Sequence, residues 1–294
     1  MIRRFLHRAL GIALVGAFAS ARAFAASPVV RIPFNSANGL IEIPVRVNGT
    51  PASFLLDTAA DYSVVDPRLL DGVQVTIETG RSGRAFVDDV TIEVGGIRLE
   101  HQRVLVKASE TDVSGKVDGR LGHDLFARFV TRIDFTSRSI ELWAPSAFRP
   151  PKAAVLVPLL GVGRLPMVAS TIKVGDGRSL PAGLVLDTGT PQSLVLRYAF
   201  ANSNGLLDLP GARAVPSQAP RDVPLTEVPI HQVSLAGWTF DRPQVQAQRE
   251  PVGSGAPTAA DGFIGIGLLS RFAMTLDVAR GRLWLEPKQR SGRM

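Results

Sequence analysis

The sequence predicts an all-β protein made of two related halves, and three observations carry that expectation. Beyond the leader the chain reads as short β-prone runs parted by Gly, Pro, Asn and Asp, with little helical periodicity. An Asp-Thr stretch occurs twice, as FLLDTAADYSVV over 54–65 and as GLVLDTGTPQSLVL over 183–196. A second block also recurs, DGRLGHDLFARFVTRIDF from Asp118 to Phe135 and DGFIGIGLLSRFAMTLDV from Asp261 to Val278. The step from Asp118 to Asp261 is longer than the step from Asp57 to Asp187, so the later half carries a net insertion between its motifs. Duplication of one β unit accounts for this order.

Taken in chain order, MIRRFLHRALGIALVGAFASARAFA comes first. Arg3, Arg4 and Arg8 precede an apolar stretch, and Ala23-Phe24-Ala25 ends it as an A-x-A site. Residues 1–25 are therefore read as a signal peptide, with a mature chain starting near Ala26. The Arg3-Arg4 pair leaves the export route open between the general and twin-arginine pathways. No second long apolar segment follows, which predicts no stable membrane insertion after cleavage. The chain has no cysteine, which excludes disulfides and a lipoprotein anchor; an exported protein of this kind fits a bacterial periplasm, or secretion from one.

The first half, residues 26–149, shows β-prone runs at Ile41–Val47, Ala52–Leu56, Gln74–Glu78, Phe86–Glu93, Ile97–Val106 and Ile140–Trp143. Asn48-Gly49-Thr50 matches a glycosylation sequon, but Asn-Gly between two strands predicts a hairpin turn. WAPSAFRPPKAAVL, with Pro145, Pro150 and Pro151, is read as a linker into the second half, residues 150–294. There IKVGDGRSLPAGLVLDTG repeats the plan of strand, tight turn, strand and Asp-Thr. The leader's four arginines account for four of the seven net positive charges, leaving about +3 on the mature chain. That scattered excess lacks the basic stripe of a nucleic-acid binder.

Asp57 and Asp187 interrupt apolar runs, where a carboxylate is costly unless it is hydrogen-bonded, paired or protonated. Two carboxyl groups held close resolve that cost by sharing one proton, and the resulting pair can serve as general base and general acid. One β unit supplies a single aspartate, so a fused repeat is the means of bringing two together in one chain.

These residues resemble the retropepsin-like and pepsin-like aspartic proteases, in a tandem, exported form. Each half is similar to a retropepsin-like domain: apolar strand, Asp-Thr-Gly/Ala, a flap hairpin, a hydrophobic-hydrophobic-Gly motif, a short helix and a final strand. The resemblance spans Val29 to Pro287. It implies a two-lobed acid-protease fold with tandem, pseudo-two-fold related, β-barrel-like lobes, and an aspartic endopeptidase that uses a water activated by Asp57 and Asp187. It implies further that Thr58 and Thr188 bind across the axis, and that Gly189 and Ala59 let backbone approach the carboxylates. Asp61 matches the aspartate that binds substrate main chain, with Pro191 at its place in the second half. Gly80, Arg81, Ser82 and Gly83 would form a substrate-binding flap tip within VTIETGRSGRAFVDDV. The equivalent ARAVPSQAPRDVPLTEVP has four prolines and predicts a poor hairpin, hence one working flap. The implied partner is a peptide or protein substrate, the implied cofactor none, and the implied state a monomer with an internal pseudo-dimer.

Two positions depart from the pattern. Ala59 replaces the glycine of the first triplet, and Arg120 stands where the first apolar residue of the hydrophobic-hydrophobic-Gly motif belongs, whereas the second half keeps Phe263-Ile264-Gly265. An arginine there must reach solvent or find a carboxylate. These departures motivate an alternative, a catalytically inactive peptide-binding module on the same scaffold. The four histidines show no metal-ligand spacing, and His123 is read as lying beside a helix start. No G-x-S-x-G elbow, P-loop or dinucleotide fingerprint occurs. Trp143 and Trp284 are expected in the core.

Overall fold

The computed structural model describes residues 27–36, 39–72, 76–77, 84–107, 117–160, 164–216, 223–251 and 260–288. The signal-peptide expectation for 1–25 and the flap-tip residues Gly80–Gly83 lie outside the described residues. Among the described residues helix is confined to His123–Phe126, Tyr198–Ser203, Ile266–Leu269 and short 3-10 turns; strands make up the rest of the regular structure. No described helix is long and apolar enough to cross a membrane.

Each half begins its sheet with the same hairpin. In the first, Glu42–Val47 pairs antiparallel with Thr50–Leu56, and Val47 faces Thr50 across Asn48 and Gly49. Both turn residues have positive φ, 47° and 84°, as a two-residue turn matched to strand twist requires. In the second, Met167–Val174 pairs with Ser179–Leu186. Burial alternates along Met167–Val174, the mark of a strand with one face in the core and one in water.

The second motif then inserts beside the hairpin. Gly119–Leu121 runs parallel to Thr50–Leu56 and antiparallel to Val64–Val65. Gly262–Ile264 runs parallel to Ser179–Leu186 and antiparallel to Leu194–Leu196. The glycine that ends each motif is required by space. A Cβ on Gly122 would stand 2.6 Å from the Ala60 carbonyl oxygen, and one on Gly265 would stand 2.5 Å from that of Thr190. The His123 and Ile266 amides donate to these same carbonyls at 3.0 and 2.9 Å, which docks each short helix behind its Asp-Thr loop.

The first lobe is a seven-stranded sheet in which Glu42–Val47 also pairs with Ala85–Val94, so the sheet curls back on itself. The second lobe is nine-stranded and includes Ile230–Leu235 against Met167–Val174. Thr76–Ile77 pairs with Ala85 and Phe86 to form the stem of the expected flap hairpin. The poor-hairpin expectation for the second lobe needs correction. Arg213–Val215 pairs antiparallel with Leu225–Glu227 over three residues. The four prolines at 216, 220, 224 and 229 all fall outside that ladder, so no ladder N–H is lost.

A six-stranded sheet joins the halves, in the order Val30–Pro33, Ser139–Trp143, Val130–Asp134, Phe272–Asp277, Arg282–Pro287, Val155–Pro158. At its centre Val130–Asp134 pairs antiparallel with Phe272–Asp277, and Arg132 faces Thr275. These two positions are equivalent in the repeat, so the pseudo-two-fold axis passes through that pair. Every residue of Phe272–Asp277 is buried, because the strand is covered on both faces. The stretch read as a linker is partly ordered into this base. Val155 and Leu156 begin its edge strand, and Phe148 packs between Trp143 and Trp284 with ring centroids 5.7 and 5.2 Å away.

Candidate active site

Each candidate aspartate follows the last residue of a central strand, Leu56 or Leu186, and its amide donates to the neighbouring motif strand. Asp57 N–H reaches the Leu121 carbonyl at 3.0 Å and Asp187 N–H reaches that of Ile264 at 2.9 Å. The carboxyl groups are thereby fixed at the inner end of each lobe, and both residues are buried, at 7 and 8% exposure.

The two loops are tied by reciprocal bonds. The Thr58 hydroxyl donates to the Leu186 carbonyl at 2.6 Å and accepts from the Thr188 amide at 3.0 Å. The Thr188 hydroxyl donates to the Leu56 carbonyl at 2.7 Å and accepts from the Thr58 amide at 3.1 Å. Both threonines are buried, so four backbone groups that water cannot reach are satisfied across the axis.

Within each loop one carboxyl oxygen accepts the amide two residues on. Ala59 N–H donates to Asp57 Oδ1 at 2.9 Å, and Gly189 N–H donates to Asp187 Oδ1 at 2.8 Å. Ala59 is not among the residues with positive φ, so its methyl group meets no backbone penalty there; it packs toward Leu165, Met167, Val185 and Ala260. Gly189 is needed for space. A Cβ there would lie 2.6 Å from Cγ of Asp57, which shows how closely the first aspartate approaches the second loop.

The outer oxygens are held differently. Thr190 Oγ1 donates to Asp187 Oδ2 at 2.6 Å, and Arg120 Nη1 donates to Asp57 Oδ2 at 3.0 Å. Arg120 therefore takes the carboxylate partner that a charge in this position requires. The register explains the meeting: Arg120 faces Leu55, two residues before Asp57, and side chains two apart share a face. Burial and the nearby Asp57 charge push the Asp187 carboxyl up to about 7, against the opposing pull of Thr190, the Gly189 amide and Arg120. A group so placed keeps its proton through the acid range.

Asp61 lies four residues beyond Asp57, half-exposed, with Arg84 Nη1 3.4 Å from its carboxylate. Arg84 also sits over the rings of Tyr62 and Phe86. Ser63 supports the loop from behind: its hydroxyl accepts from Gly122 N–H at 3.2 Å, and its amide donates to Asp124 at 2.8 Å. Thr190 was the site residue that sequence reasoning passed over. The available signal was its place three residues after Asp187, opposite an alanine in the first half. Among the described residues no group of three or more His, Asp or Glu side chains is arranged to hold a metal ion.

Comparison with known proteins follows the same line. Residues 43–125 match the family model described as aspartyl protease, a span that includes Asp57 and Arg120 but not Asp187. A comparison with curated proteins found no match. Among solved structures the chain is similar to the aspartic proteinase from Irpex lacteus, at 17% identity and a TM-score of 0.53, over 87% of this chain and 96% of that one. The fold is thus that of the two-lobed acid proteases. The matched segment is similar to the aspartyl protease family, and the likeness to the solved structure shows the fold.

Proposed function

We propose that the protein is an aspartic endopeptidase in which Asp57 and Asp187 act as one pair on a peptide lying between the lobes. The observation that supports this reading best is the reciprocal Thr58–Thr188 bonding, which draws the two Asp-Thr loops onto one axis. With the proton of the pair on Asp187, Asp57 is the base. It takes a proton from water as the water oxygen adds to the peptide carbonyl carbon. The π pair moves onto the carbonyl oxygen, which takes the Asp187 proton. Collapse of the tetrahedral species re-forms the carbonyl as one hydroxyl returns its proton to Asp187, breaks the C–N bond and delivers a proton from Asp57 to the leaving nitrogen. The pair ends the cycle in the protonation state in which it began, with no redox step. Asp61 and the hairpin above it would hold substrate main chain. The two lobes, taken as residues 26–149 and 150–294, make a monomer sufficient for this chemistry, and the leader would deliver it to the periplasm or beyond.

The test uses the chain from Ala26 onward against a diverse peptide library, read by mass spectrometry from acid to neutral pH. Internal cleavage that vanishes in both Asp57→Asn and Asp187→Asn is the expected result. Cleavage surviving in either variant overturns the pair. Peptide retained uncut by the folded wild-type chain at every pH overturns the endopeptidase and leaves the binding module.

A further inference from the structure

The pseudo-two-fold axis makes each half a control for the other, and at one point the halves solve the same problem with different chemistry. The outer oxygen of Asp187 is held by the Thr190 hydroxyl from its own loop. The position equivalent to Thr190 in the first half is Ala60, which has nothing to donate. The outer oxygen of Asp57 is held instead by Arg120, from the adjacent parallel strand. The position equivalent to Arg120 in the second half is Phe263, whose half-buried ring packs on the cluster of Leu165, Met167, Val185 and Ala260. A hydroxyl absent at 60 is thus matched by a guanidinium present at 120, and a guanidinium absent at 263 by a hydroxyl present at 190.

We propose that Arg120 is a positioning residue that replaces the hydroxyl missing at Ala60 and, as a permanent cation on one side of the pair only, fixes the shared proton on Asp187. The inference rests on the Asp57–Asp187 reading given above. A hydroxyl can donate to a carboxylate or accept from a carboxylic acid, and so tolerates either protonation state. A guanidinium only donates and does not lose its proton in proteins, so it favours the carboxylate over the neutral acid. The swap therefore converts a symmetric pair into a directed one. Arg120 also reaches the opposite loop, since a Cβ on Gly189 would lie 2.9 Å from its Nη1. Among the described residues the charged groups that bear on Asp187 are Asp57, which raises its affinity for the proton, and Arg120, which lowers it. The Arg120 side chain is 34% exposed, so solvent weakens its charge without removing it. Loss of the arginine should accordingly move the Asp187 titration to higher pH.

The experiment follows the side-chain carboxyl carbons of 13C-aspartate-labelled protein by NMR through a pH titration. It compares wild type, Arg120→Leu, Arg120→Lys and the double variant A60T/R120F, which copies the second half's arrangement onto the first. Asp187→Asn assigns the signal. The Asp187 titration is expected to rise in Arg120→Leu and in A60T/R120F and to stay within a few tenths of a pH unit in Arg120→Lys. Peptide cleavage at neutral pH is expected to drop at least tenfold in Arg120→Leu and to return largely in A60T/R120F, with its alkaline limb moved up. An unmoved titration in folded Arg120→Leu overturns the proposal, as does a lysine variant that behaves like leucine. Should Arg120→Leu fail to fold, the contrast between Arg120→Lys and A60T/R120F carries the same decision. Titrations that move as stated in a protein that cuts no peptide uphold the charge assignment while sinking the endopeptidase.

Discussion

Gly189 and Ala59 occupy equivalent positions, yet only one of them has to be small. Both donate an amide to the aspartate two residues earlier, and a side chain does not disturb that bond. What separates them is the Asp57 carboxyl, which lies where a Gly189 side chain would begin. Gly189→Ala is therefore expected to fold while displacing the carboxyl by a fraction of an ångström or more, and a misplacement of that order costs about a hundredfold in rate. The measurement is kcat/KM beside a circular dichroism spectrum. Full activity in the folded variant would mean that the approach is looser than the structure shows. The proton on Asp187 gives a second expectation at this scale. Cleavage should fall as pH rises through about 7, where that carboxyl loses the proton the carbonyl oxygen needs. A rate that goes on rising above pH 8 would remove Asp187 as the acid.

At the scale of elements the joining sheet carries a feature that nothing in the lobes explains. Thr275 is fully buried at the pair with Arg132 on the axis, and its hydroxyl has no hydrogen-bond partner among the described residues. A buried hydroxyl without a partner retains its desolvation cost. Thr275→Val is expected to leave the urea unfolding midpoint unchanged or to raise stability by up to about 1 kcal/mol, because the volume is kept and the unmet polar group is removed. A loss of more than about 1 kcal/mol would reveal a partner for the hydroxyl. The same scale shows why prolines misled the reading of the second lobe. A proline disables a ladder only at the positions that donate to it, and composition does not tell which positions those are.

For the molecule as a whole, a carboxyl that keeps its proton on folding couples stability to pH. Asp187 is raised from 3.8 to about 7, so between those values the folded chain binds a proton that the unfolded chain has released. Its contribution is fully present below about 3.8 and is lost as pH rises toward 7. Replacing it by asparagine, which never ionises, removes that loss. Between pH 4 and pH 8 the Asp187→Asn variant is expected to gain on wild type by as much as a few kcal/mol in unfolding free energy. The result that contradicts this is a wild type that gains on the variant as pH rises. The two lobes share this burden, since the raised value depends on Asp57 from the other half.

The duplication, the β class and the order of motifs were legible in the sequence because each rests on local chemistry. Asn48-Gly49 makes its own turn, and alternating burial marks its own strands. The two Asp-Thr loops could be singled out for the same reason, as polar groups inside apolar runs. What the sequence left open was the use made of its irregularities. Arg120 could have turned to water or to any acidic neighbour; the strand register alone turned it to Asp57. Ala60 and Thr190 looked like ordinary variation until their side chains were set against two equivalent carboxyl oxygens. Local sequence determines the elements because their signals act over a few residues, whereas partners far apart in the chain, such as Arg120 and Asp57 or Thr58 and Thr188, are chosen only when packing fixes which faces meet.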